Sequence, residues 1–188
     1  MATLVGMRIG TLRATVVGAV VIALSGCIGG DPLPTLPPTP TATPIFASEE
    51  EALAAAEEAY AAYGEVSDLI SSEGGLAPER IAPFVTKDQL ARELDTAAFY
   101  RERGWRSEGR PLTVRVVLQQ YDEFDGVAEV LIYVCLDVSE VRIRDQEGAD
   151  VTPANRPSLG SLEVGLVGES AETLLVASSE QWSDSSFC

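Results

Sequence analysis

The apolar pattern of this chain changes period once, near Pro111, and that change constrains the fold more than any other feature. Before it, Leu53, Ala56, Tyr60, Tyr63, Ser67 and Ile70 recur at alternating spacings of three and four, which is one stripe of an α-helix. After it, Leu112, Val114, Val116 and Leu118 point one way while Thr113, Arg115, Val117 and Gln119 point the other, the two-residue period of a strand. Helices first and strands second is an α+β order, with the helices covering one face of an antiparallel sheet. The 188 residues suffice for one such domain plus a tail, and an apolar share of 46% supplies a core.

Punctuation residues set the boundaries. Ser48-Glu49-Glu50-Glu51 fits a capping box, so the first helix starts at Ser48; it runs to about Ser72, where Gly74-Gly75 stops it. Pro78 to Ala82 is a short helical turn. Thr86-Lys87-Asp88-Gln89 opens another helix, with Leu90, Leu94, Ala97 and Ala98 on one side and Gly104 near its end. Five strands follow. The first runs from Leu112 and turns through Asp122–Gly126 (DEFDG). Val127–Asp137 is nearly continuously apolar and reads as central, covered on both faces. Val141–Asp145, Leu159–Val167 and Thr173–Gln181 complete the set.

The N-terminus reads as an address. Arg8 and Arg13 precede an apolar run, Val16 to Leu24, of about nine residues, far short of the roughly 20 that span a bilayer. Leu24-Ser25-Gly26-Cys27 then looks like a bacterial lipobox, with residues 1–26 as a lipoprotein signal peptide and Cys27 as the diacylated residue. Cleavage there removes two arginines and no acid, taking the net charge from -16 to -18. Diacylation, with palmitate among its chains, gives stable membrane attachment. So strongly acidic a domain is repelled by anionic lipid, which leaves attachment to the lipid anchor. The expected location is the outer face of the cytoplasmic membrane. Residues 27–47 form a Pro/Thr-rich linker; its Asp31–Pro44 stretch (DPLPTLPPTPTATP) is too proline-rich for helix or inner strand and should extend as polyproline II over roughly 40 Å. Residues 48–188 form the globular domain.

With Cys27 used by lipid, two cysteines remain. Cys135 lies inside a strand and Cys188 is the last residue. Export favours persistent disulfides, so the expected bond is Cys135–Cys188, pinning the tail and bringing Trp182 and Phe187 beside it.

The order and lengths of the elements resemble the NTF2-like (SnoaL/ketosteroid-isomerase) cone. The combination of LSGC, the Thr/Pro spacer, ASEEEALAAAEEAYAAY, YVCLDVS, VTPANRP and the terminal W-x4-FC also resembles a family of small actinobacterial lipoproteins over nearly the whole chain. That second resemblance implies a lipid-anchored surface domain and assigns neither an activity nor catalytic residues. The first implies a pocket, with Tyr60, Tyr63, Trp105 and Tyr133 as candidate walls. It also brings a homodimer into view, because NTF2-like domains often pair through the sheet.

Composition excludes much chemistry. There is no His, which removes the usual general base, metal ligand and triad member. A chain with 29 acids against 13 bases is a poor match for nucleic acid. No Cys or His set is spaced for a metal, and no cofactor motif is present. The acids around Asp122–Gly126 and around Gly148 (Asp145, Glu147, Asp150) lack the frame of a calcium loop. The expected function is a membrane-anchored, non-catalytic binding or interaction domain in the cell envelope, with a small ligand, another envelope protein or a wall component as partner. The alternative is a small isomerase- or cyclase-type enzyme using a pocket carboxylate, with Asp137 as the weak catalytic candidate.

Overall fold

The computed structural model describes residues 43–183, 187 and 188, all within one compact unit, Thr41–Cys188. The expected signal peptide, the expected lipidation site Cys27 and nearly all of the expected spacer lie outside the described residues. Helix α1 spans Glu49–Ser72 and helix α2 spans Lys87–Arg103, with a 3-10 turn, Pro78–Phe84, between them. Among the described residues there are six strands: β1 Arg106–Glu108, β2 Leu112–Phe124, β3 Val127–Asp137, β4 Arg142–Arg144, β5 Leu159–Gly168 and β6 Leu175–Gln181. The four long strands form an antiparallel sheet in the order β2-β3-β5-β6, and β1 pairs with β4 as a separate two-stranded ribbon. The α+β class follows, with the helices packed on antiparallel sheet and no closed barrel.

The helix ends follow local chemistry. Ser48 Oγ accepts from Glu51 N at 3.2 Å, while the Glu51 carboxylate reaches one residue further back than expected, accepting from Ala47 N at 2.8 Å. Gly75 has φ +79°, and a Cβ there would run into the Ala97 carbonyl, so the stop of α1 is also the point where α2 crosses close by. Gly104 ends α2 at φ +63°, as expected for a left-handed cap.

One face of the sheet carries the core. Ala128, Val130, Ile132 and Val134 of β3 alternate inward with Val164 and Leu166 of β5 and Val176 of β6, against Ala52, Ala56, Tyr60, Tyr63 and Ile70 of α1. Phe46 joins this core at 2% exposure and packs edge-on against Tyr121, while Ile45 N donates to the Glu123 carboxylate at 2.8 Å. Ile45 and Phe46, read above as the end of the linker, therefore belong to the domain.

Several expectations change. DEFDG is not a five-residue turn: β2 continues through Phe124, which pairs with Val127, and only Asp125 and Gly126 turn, at φ 51° and 78°. Acids mimic a turn signal, but exposed strand positions carry them equally well. The alternation in β2 breaks at two irregularities, Thr113/Arg115 and Leu118/Gln120. Val116, Leu118 and Tyr121 pack on the core, whereas Leu112 and Val114, which the two-residue period groups with Val116 and Leu118, are 60% and 55% exposed. In α2 the buried residues are Gln89 and Ala97, and Leu94 is exposed, because the helix meets β6 and the 3-10 turn along a narrow line. The final strand starts only at Leu175, after a 3-10 turn at Ala171–Thr173.

Candidate functional site

The expected pocket of Tyr60, Tyr63, Trp105 and Tyr133 does not form. Tyr60 and Tyr63 sit together on the inner side of α1, their rings 5.9 Å apart. Trp105 lies beyond the end of α2, edge-on to Phe99, with the Arg103 guanidinium over both rings. Tyr133 lies on the opposite face of the sheet, stacked on Trp182 at 3.9 Å. Strand parity explains it: β3 buries its even-numbered residues under the helices, so Tyr133 and Cys135 turn to the other side.

That other side is closed at one end by the C-terminus. Cys135 and Cys188 are disulfide-bonded, with Cα atoms 5.4 Å apart. Trp182 and Phe187 pack beside the bond as expected: Phe187 is edge-on to both Tyr133 and Trp182. Arg115 of β2 stacks over the Phe187 ring and donates from its guanidinium to the Phe187 carbonyl at 3.1 Å. The expectation that β3 is covered on both faces therefore holds at this end, while Glu129 toward the hairpin is exposed.

Asp137 is not a pocket acid. It ends β3 at the surface and accepts from Ser139 N at 2.8 Å, and that bond holds its carboxyl below the usual carboxylate range. A general acid needs the reverse shift. The acids around Gly148 are committed to their own loop: Asp145 accepts from Ala149 N at 2.8 Å and Asp150 from Thr152 N at 2.9 Å. Among the described residues no group of three or more acids or cysteines is placed to hold a metal, and no helix is long and apolar enough to cross a membrane.

A groove does open where the C-terminal half of α1 meets the sheet. Tyr60, Tyr63, Gly64, Glu65, Ser67 and Asp68 form one wall; Arg110, Pro111 and Thr113 form the other; Leu136, Leu162 and Ser179 line it from the sheet. Its volume is ≈ 340 Å³, at the small end of ligand sites. Tyr63 is locked into the fold. Its hydroxyl donates to Glu93 Oε1 at 2.8 Å, the same atom that accepts from Gln89 Nε2 at 2.7 Å, and burial followed by the Glu93 charge raises its pKa. Tyr60 has no hydrogen bond among the described residues; burial and then the charge of Asp68 push its pKa up to about 12, so the hydroxyl keeps its proton.

Asp68 and Arg110 are the two features sequence reasoning missed. Asp68 is half-buried, and desolvation raises its pKa, with the positive charge of Arg110 opposing. It is the one carboxyl among the described residues whose pKa is raised. Neither residue forms an ion pair or hydrogen bond among the described residues. A second hollow, between Ser139 and Ser158, contains Arg142 and Arg156, but both guanidiniums there donate to main-chain carbonyls of its rim. The groove under α1, by contrast, holds opposite charges, Asp68 and Arg110, that form no hydrogen bond or ion pair among the described residues.

No family model and no curated protein matches the chain. Among solved structures it is similar to the intermembrane space region of the chloroplast protein ARC6, at 12% identity and a TM-score of 0.51, covering 69% of this chain and 95% of that one. At that identity the likeness concerns the fold alone.

Proposed function

We propose that this chain is an exported bacterial lipoprotein of the actinobacterial kind. It is cleaved before Cys27, diacylated there and held at the outer face of the cytoplasmic membrane, where it presents an NTF2-like, non-catalytic binding domain to the envelope. The observation that carries this reading is the Cys135–Cys188 bond. Such a bond persists in an oxidising compartment, and it leaves Cys27 alone, in the lipobox, without a cysteine partner. The surface position and low pKa of Asp137 favour binding over the isomerase-type alternative. The partner is a small ligand, an envelope protein or a wall component, reached through the lipid tether; the charge disfavours nucleic acid.

Metabolic labelling with palmitate in a bacterial host tests the anchor. The wild-type chain should take up label and fractionate with membranes, and Cys27→Ala should lose both. Label retained by Cys27→Ala, or an unlabelled wild-type chain, would overturn the reading.

A further inference from the structure

The groove under α1 brings together two opposite charges that, among the described residues, do not pair with each other or with another side chain. Asp68 is half withdrawn from water, and the exposed Arg110 lines the same groove. They are near enough for Arg110 to oppose the shift in Asp68, yet they do not pair. Between them the sheet side offers Leu136 and Leu162, and the Tyr60 hydroxyl is an unused donor.

We propose that this groove binds a small amino-acid-like zwitterion with an aliphatic body, its ammonium on Asp68, its carboxylate on Arg110 and its side chain over Leu136 and Leu162. Each charge on the protein selects against part of the competing chemistry. A simple amine satisfies Asp68 but meets Arg110 as a like charge; a simple carboxylate satisfies Arg110 but enters a strongly acidic domain and faces Asp68 and Glu65. A zwitterion brings no net charge and pairs both groups. The volume of ≈ 340 Å³ suits one residue or two better than a long peptide. The inference rests on reading the domain as a binding module and names the class of its ligand.

The test uses the full lipidated chain in detergent, titrated by calorimetry with leucine, with leucyl-leucine, and with two leucine analogues that each lack one charge, 3-methylbutylamine and 4-methylpentanoate. Leucine or leucyl-leucine should bind, and whichever binds better identifies a free amino acid or a short peptide as the source. Each single-charge analogue should bind weaker by roughly tenfold or more, a difference of about 1.4 kcal/mol. Asp68→Asn and Arg110→Gln should each abolish the preference for leucine over one of the two analogues while leaving the ligand-free melting temperature within a few degrees of wild type. Failure of both leucine and leucyl-leucine to bind at millimolar concentration, an amine that binds as well as leucine, or Asp68→Asn binding leucine as wild type does would each overturn the inference. Palmitate labelling is read independently, so a negative titration with Cys27 labelled removes the ligand class and leaves the anchor standing.

Discussion

The two faces of the long sheet are covered by different means. Under the helices, β3 and β5 present an aliphatic surface sealed by α1, and Ala128, Ile132, Val134 and Val164 are all at 0% exposure. On the reverse, cover comes from a short terminal segment whose Trp182 and Phe187 lean on Tyr133 and whose last residue is bonded to Cys135. A helix of 24 residues gathers enough apolar contact to stay in place. Trp182 and Phe187 bring two aromatic rings to the reverse face, and the bond to Cys135 ties their segment to β3. The covalent bond joins the aromatic cover of the reverse face directly to the sheet.

Substitutions on the two faces should separate these modes. The largest effect is expected at Ile132→Ala, a fully buried site facing α1, which should cost about 3–4 kcal/mol in chemical denaturation. Next is Cys188→Ser, expected to cost roughly 2–4 kcal/mol through loss of the loop between residues 53 apart, with a change in Trp182 fluorescence as its ring leaves Tyr133. Trp182→Ala should cost about 1 kcal/mol in the oxidised protein and much less in the Cys188→Ser background, because the stack depends on the tether. Additive effects of those two changes, measured in a double-mutant cycle, would break the picture of a stack held by its bond. The smallest effect is expected at Asp68→Asn. Burial raises the carboxyl pKa in the folded state, so the ionised form weakens the fold once the pH exceeds the unfolded value. The variant should therefore melt slightly above wild type at pH 7, and the gap should close as the pH falls through the ordinary carboxylate range.

What was legible in the sequence was local. Ser48, Gly75 and Gly104 act within a turn of where they stand, so the helix ends read directly from residue type. The cysteine pairing was legible because only two candidates remained once Cys27 was set aside. The ribbon of β1 and β4 was harder: Arg106-Ser107-Glu108 shows no apolar alternation, and its strand character comes from the ladder to Arg142–Arg144 and the Glu108–Arg144 ion pair. The candidate pocket failed because β3 is apolar at nearly every position. A continuous run does not say which parity faces the helices, and Tyr133 was assigned to the wrong side. Asp68 and Arg110 carry no joint signal at all, being 42 positions apart on a helix and in the approach to β2; only the packing of α1 along the sheet brings them to one groove.

The entry of the chain at Ile45 and Phe46 has a geometric consequence. Both main-chain amides reach Glu123, near the hairpin end of β2, while the groove lies at the other end of the same strand, beside Arg110 and Thr113. Ten positions of β2, from Thr113 to Glu123, separate the two points, roughly 30–35 Å of extended backbone. One strand therefore carries both points, so anything seated in the groove lies a strand's length from the contacts that hold Ile45 and Phe46, and either end can change without disturbing the other.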